Sequence, residues 1–308
     1  MWFTFVLLQL LPQLTLSAHC PNGCVCDIRG SAKCIGDITD IPPLDPTTTF
    51  LLLLNNTNIK VLKDRSFQPF SLLIRLMITH STLDNIQPEA FHGAPQLRSI
   101  KLSSNALSVL PPKILFHNLR QLKSLVLSSN QLETLESGSF DHLSNLLVLM
   151  LQKNQIREIP PRLFWHLPSL LTLSMSANQL RFIPSESFYY LPNLTKLTLY
   201  KNPLISLPYQ LMGHMPRLQE LYLYETNLST LPWNLFANMT NLRALNLYFN
   251  NKLTSLPKSL FCCLPNLKKL VLKDLSLSGN KWNCDLLYNH KTDMNTHPWW
   301  LLAKCKTK

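Results

Sequence analysis

The stretch "LTKLTLYKNPLISLP" (194–208) decides the fold. Leu197 and Leu199 alternate with Thr198 and Tyr200, the period-two pattern of a short strand with one buried face. Asn202 follows, and then Leu204 and Leu207–Pro208. The same spacing returns in "LRSIKLSSNALSVLP" (97–111), "LKSLVLSSNQLETLE" (122–136), "LLVLMLQKNQIREIP" (146–160) and "LLTLSMSANQLRFIP" (170–184). From about residue 49 the unit repeats roughly every 24 residues. A strand this short is not stable alone. Stacked units give a parallel sheet and one continuous core.

Two further ladders run through the repeats. Asn105, Asn130, Asn154, Asn178 and Asn202 hold one position, with Thr57, Ser81 and Thr226 replacing Asn elsewhere. A buried amide left unpaired costs roughly 1–3 kcal/mol, so regular placement points to backbone groups satisfied where the chain leaves the sheet. Phe67, Phe91, Phe116, Phe140, Phe164, Phe188, Phe236 and Phe261 form the second ladder, and Met212 fills one rung. Periodic apolar positions of this kind are core rather than a binding box. The template L-x-x-L-x-L-x-x-N-x-L-x-x-L-P, present about nine times, resembles the leucine-rich repeat family. The resemblance implies an α/β solenoid: a curved horseshoe with its parallel sheet on the concave face.

The chain has 308 residues, of which 46% are hydrophobic, so a large core is available. Only 7 are Gly and 22 are Pro, against a Gly-rich phosphate-binding enzyme. No nucleophile elbow or metal-binding His pair is present, so no enzyme, metal or cofactor is expected. The formal net charge of +12 reads either as a solvated basic surface or as attraction to anionic partners, sulfated glycans or acidic protein patches, and no dense Lys/Arg block marks a site. Nothing points to nucleic acid. Residues 1–18 read as a signal peptide, an apolar run ending in Ser17 and Ala18. No later apolar run has the about 18 residues a membrane span needs. Asn55, Asn193, Asn227 and Asn238 each begin an Asn-x-Ser/Thr sequon. Together these features predict a secreted or extracellular glycoprotein, on the cell surface if the C-terminal part is incomplete.

Cys20, Cys24, Cys26 and Cys34 fall in residues 19–48, which read as an N-terminal cap over the open end of the repeats. Sequence alone allows three pairings. The family resemblance implies Cys20–Cys26 and Cys24–Cys34. Repeats occupy 49–271, and 272–308 read as a degenerate or truncated C-terminal cap. There "LSLSGNKWNCDLLYN" (275–289) resembles the start of the family's C-terminal cap, and Cys284 and Cys305 are candidates for one bridge. Cys262 and Cys263 are adjacent and have no evident role.

Finer details resemble the glycoprotein V group of the family. They include "RLMITHSTLDNIQPEAF" (75–91), Asn202–Pro203, Thr226 in the asparagine ladder, and an added residue in "YFNNKLTSLP" (248–257). This implies a protein-binding role in cell adhesion or haemostasis. The layout is also similar to the non-catalytic subunit of carboxypeptidase N. That implies the alternative of a circulating carrier or inhibitor subunit for a plasma enzyme such as carboxypeptidase N or phospholipase A2.

One outward column distinguishes the two halves of the chain. It runs Thr79, Ser103, Ser128, Gln152, Ser176, Tyr200, Tyr224, Tyr248. Tyr222 and Phe249 flank its aromatic end. Adjacent strands lie about 4.8 Å apart, close enough for these rings to stack. Such rings either anchor a partner, as exposed aromatics do at interfaces, or only stack and stiffen the sheet; Tyr200, Tyr222, Tyr224, Tyr248 and Phe249 are the candidate ligand-binding residues.

Overall fold

The computed structural model describes residues 20–111, 114–257, 260–261 and 263–272. Cys262, Cys284 and Cys305 lie outside them, as do the expected leader and nearly all of the expected C-terminal cap.

The strands are β1 (Cys24–Cys26), β2 (Ser31–Gly36), β3 (Leu51–Thr57), β4 (Val61–Leu62), β5 (Arg75–Thr79), β6 (Asn85–Ile86) and β7 (Ser99–Lys101). They continue as β8 (Ser124–Val126), β9 (Val148–Met150), β10 (Thr172–Ser174), β11 (Lys196–Thr198), β12 (Glu220–Tyr222), β13 (Ala244–Asn246) and β14 (Lys269–Val271). All but β4 and β6 form a 12-stranded sheet in chain order. Every pairing from β2 onward is parallel. The register is fixed by leucine: Leu149, Leu173, Leu197, Leu221 and Leu245 are successive partners, and each is fully buried. Among the described residues the return segments are turns rather than helices. They are short and broken by Pro, too short for a helix to repay its costly nucleus.

The phenylalanine ladder fills the core of these return segments. Phe67 stacks on Phe91 at 5.7 Å between centroids, Phe91 on Phe116 at 6.2 Å, and Phe164 on Phe188 at 5.9 Å. Met212 takes its rung through a parallel bridge to Phe188.

The asparagine ladder answers a backbone problem. In each repeat from that of β3 to that of β13 the residue just before the rung has left-handed backbone, from Asn56 and His80 through Lys201 and Glu225 to Phe249, with φ between 51° and 59°. For a residue with a Cβ that conformation costs roughly 1–2 kcal/mol. It turns carbonyls away from the ladder, and asparagine collects them. Asn178 Nδ2 donates to Leu151 O at 3.0 Å and Met175 O at 2.9 Å, while its Oδ1 accepts from Ile156 N at 3.1 Å. Asn130, Asn154 and Asn202 repeat the arrangement. Asn250 continues it, donating to Leu223 O and Leu247 O. The sequence reading missed this rung because the added residue follows Asn250, so that Leu253 becomes the next buried leucine.

At the N-terminal end β1 folds back antiparallel on β2, and β2 pairs parallel with β3. Disulfides join Cys20 to Cys26 and Cys24 to Cys34. Asp27 Oδ1 closes the hairpin by accepting from Arg29 N and Ser31 N. Gly30 has φ +75°, and a Cβ there would lie 1.9 Å from Thr48 O, so this turn requires glycine. Ala32 and Cys34 are buried on the open end of the first repeat.

Candidate functional site

The open face of the sheet, the concave face of the expected horseshoe, is built from residues that alternate with buried leucines. Parallel register sorts them into columns. One runs Lys196, Glu220, Ala244; the next runs Thr198, Tyr222, Asn246. Just beyond the strand ends lie Tyr200, Tyr224 and Tyr248, each half-buried.

The structure brings Tyr200 and Tyr224 together as a near-parallel stack, with centroids 4.3 Å apart and 6° between planes. Tyr248 does not extend this stack. Its ring packs on Phe249 instead, at 5.4 Å and 47°. The added residue in that repeat follows this pair, and Phe249, at the left-handed position (φ 55°) that Lys201 and Glu225 hold in the preceding repeats, is 46% exposed. Tyr222 stands in the neighbouring column, and its hydroxyl donates to Glu220 Oε2 at 3.2 Å. The five predicted residues are thus a stacked pair, a tilted pair and a flanking phenol on three consecutive repeats.

Charge pairs frame them. Lys196 Nζ lies 2.7 Å from Glu220 Oε2 and 5.3 Å from the centre of the Tyr222 ring. Lys201 meets Glu225 at 3.6 Å. The hydrogen bond to Glu220 raises the Lys196 pKa, and the same bond lowers that of Glu220. Burial raises the Tyr222 phenol. Burial and then the adjacent Tyr200 phenol push Tyr224 up to about 12. Both rings are therefore neutral at physiological pH, presenting flat apolar faces with a polar rim.

The small polar end of the column lies differently. Thr79, Ser103, Ser128 and Ser176 are buried rather than displayed. Ser176 Oγ donates to Thr198 Oγ1, which donates to Ser174 Oγ, both at 2.8 Å. This internal hydroxyl chain leads up to the tyrosines.

The four sequon asparagines fall in different places. Asn55 is in the same column as the tyrosines, at the opposite end of the sheet. Its Oδ1 accepts from Thr79 Oγ1 at 2.9 Å. Asn193 donates Nδ2 to Pro168 O at 2.8 Å. Asn227 directly follows the Thr226 rung, and Asn238 is exposed two residues after Phe236. Among the described residues no group of three or more His, Cys, Asp or Glu side chains could hold a metal ion. No helix among them is long and apolar enough to cross a membrane.

A second aromatic cluster lies away from the sheet face and was not singled out from sequence. Trp165 packs edge-on against Tyr190 at 4.5 Å, Tyr190 meets Tyr189 at 5.2 Å, and the Arg162 guanidinium sits 4.7 Å over Trp165. Its sequence signal was an aromatic immediately after the ladder phenylalanine, at Phe164–Trp165 and Phe188–Tyr189.

Comparison with known proteins agrees with this architecture. A family model described as leucine rich repeat matches residues 51–107, 120–180, 173–228 and 216–281. Leucine-rich repeat-containing protein 3B of Danio rerio is 30% identical over 115 residues, 33% of this chain and 45% of that protein. Trophoblast glycoprotein of Macaca fascicularis is 31% identical over 105 residues, 32% of this chain and 25% of that protein. The chain thus spans less than half the length of these relatives. Among solved structures, a leucine-rich repeat protein of Leptospira interrogans superposes with a TM-score of 0.63 at 26% identity, covering 77% of this chain and 58% of that one. A chain of the Drosophila Toll–Spatzle complex gives 0.59 at 26% identity, covering 78% and 36%.

Proposed function

The chain belongs to the leucine-rich repeat family, and on that premise we propose that it is a non-enzymatic extracellular glycoprotein of the glycoprotein V type. In this reading it binds a protein ligand in cell adhesion or haemostasis, through the C-terminal half of its open sheet face. The observation that carries the reading is the aromatic patch of Tyr200, Tyr222, Tyr224, Tyr248 and Phe249, framed by the Lys196–Glu220 and Lys201–Glu225 pairs. Flat aromatic faces with a charged rim are the usual composition of an interface hot spot and its surround. The rigid sheet beneath them keeps the ordering cost of binding low. A chain of the Toll–Spatzle complex shares the fold, which supports a protein as ligand. Two cap disulfides fit an oxidising compartment. The leader-like residues 1–18 and the four sequons fit secretion.

The test is a binding screen of the glycosylated chain against purified plasma and platelet-surface proteins by surface plasmon resonance. A hit should weaken by about 2 kcal/mol or more on Tyr224→Ser or Tyr248→Ser, the scale of a hot-spot residue. Circular dichroism should show the fold retained. Undiminished binding by the folded variants would show that this face is not the site. Recovery of a plasma protease or phospholipase as the sole stable partner would replace the adhesion reading with that of a carrier subunit.

A further inference from the structure

The N-terminal half of the same face, with the rim where the chain enters its strands, carries a different chemistry. Arg75 is on β5, Arg98 and Lys101 are on or beside β7, and Lys123 immediately precedes β8. Register places Arg75 opposite Ser99, Met77 opposite Lys101, and Ser99 opposite Ser124. Arg98 and Lys123 are direct neighbours across the sheet, because Lys123 N donates to Arg98 O at 2.9 Å. Arg75, Arg98 and Lys123 are exposed, and Lys101 is half-buried. None of the four forms a salt bridge among the described residues. Along the sheet-face positions from Gly30 to Lys201 there is no Asp or Glu.

Where β11 and β12 present Lys196, the next strand supplies Glu220 in register, and Lys201 likewise receives Glu225. One position earlier in the repeat, just before β7 and β8, Arg98 is followed by another cation, as Arg243 is by Lys268 before β13 and β14, and only the first pair lies on a stretch of face without Asp or Glu. Strands lie about 4.8 Å apart, so these like charges repel within one Debye length, about 8 Å at physiological salt. An uncompensated cluster of this kind is relieved when an anion binds. Its floor is serine: Ser99 and Ser124, half-buried, directly follow Arg98 and Lys123 and are partners across the sheet. No aromatic side chain lies among the sheet-face residues of β5, β7 and β8, so the patch lacks the anchor that a protein hot spot uses.

We propose that Arg75, Arg98, Lys101 and Lys123 form a binding surface for a sulfated polysaccharide, whose sulfates take the cations and whose remaining oxygens take the serine hydroxyls. The proposal rests on the open face being the contact face, but on the half without tyrosine, so the two sites can fail separately. Holding a cell-surface polysaccharide there leaves the aromatic half free for a protein.

The probe is a heparin fragment of defined length, titrated against the full chain at several salt concentrations. Binding is expected at about 0.15 M ionic strength, weakening as salt rises because bound counterions are released. The triple variant Arg98→Ser, Lys101→Ser, Lys123→Ser should bind about tenfold more weakly, from three exposed ion contacts. A charge-matched control, Lys60→Ser, Arg181→Ser, Arg217→Ser, removes exposed cations elsewhere and should bind heparin like the parent. Tyr224→Ser should also leave heparin binding unchanged. Equal losses in both triple variants would mean that net charge alone attracts heparin, and the surface would be rejected. Unchanged affinity in the first triple variant, with its fold intact by circular dichroism, would equally overturn it. So would tighter binding of a polyglutamate peptide than of heparin, which would assign the patch to an acidic protein.

Discussion

The β5–β8 half and the β11–β13 half of the sheet share one backbone and present opposite surfaces. Both bury the same leucines, turn through the same left-handed residue and hang on the same kind of polar rung. Yet one half shows serine and cations with no acidic residue on its face, the other stacked tyrosine and glutamates that pair in register with Lys196 and Lys201. In a solenoid the interior constrains only every second strand residue. The outward residues are free to diverge repeat by repeat, so a single sheet can carry two unlike contact zones.

The largest expected effect removes what the two halves share. Asn178→Ala leaves Leu151 O, Met175 O and Ile156 N without their partner. Stability should fall by roughly 2–4 kcal/mol in a denaturant melt. Heparin and protein binding should then be lost together on unfolding. A loss below about 0.5 kcal/mol would mean that water replaces the rung.

A second test sharpens the aromatic side of the comparison. A double-mutant cycle between Tyr200 and Tyr224 should give a coupling of about 0.5–1.5 kcal/mol, as for an offset-stacked pair. The Tyr224–Tyr248 cycle should give close to none, because Tyr248 packs on Phe249. In a near-ultraviolet phenolate titration Tyr224 should ionise near 12, and Tyr200→Phe should lower that value. Its folded pKa is raised above the unfolded one. Its contribution to stability is therefore complete below about pH 10 and is lost as pH rises through the folded value.

The smallest effect concerns the paired charges. The Lys196 and Glu220 side chains are 42% and 39% exposed, so solvent screening holds their pair to about 0.2–1 kcal/mol. Glu220→Gln should cost no more than that at neutral pH. The Glu220 pKa is lowered on folding. Its contribution is present above the unfolded range near 4.3 and is lost as pH falls through the folded value, where parent and variant melts should converge. The Lys196 pKa is raised, so its share is present below about pH 10.4 and is lost as pH rises through the folded value. A constant offset between parent and variant across acid pH would show that the pair contributes nothing electrostatic.

Much of the fold was legible because a repeat states its pattern many times over. The leucine period, the phenylalanine ladder and most of the asparagine ladder could be read directly. Asn250 escaped because a single added residue shifts the following leucine to Leu253. The candidate site was legible by residue but not by arrangement. Tyr200, Tyr224 and Tyr248 are evenly spaced in sequence, which suggests one continuous stack. A phenylalanine at position 249, where the preceding repeats carry Lys201 and Glu225, gives Tyr248 a different neighbour. The cationic cluster left no mark in the sequence at all, because Arg98 and Lys123 are 25 residues apart and fall in no charged run.

By itself the sequence determined the interior of this protein. Which side chains are buried follows from alternation and periodicity, and these are local properties that every repeat restates. Only the tertiary structure decided who stands beside whom on the surface. That depends on parallel register, which brings residues one repeat apart to within about 4.8 Å. That register decides whether a lysine meets a glutamate, an arginine or a tyrosine ring.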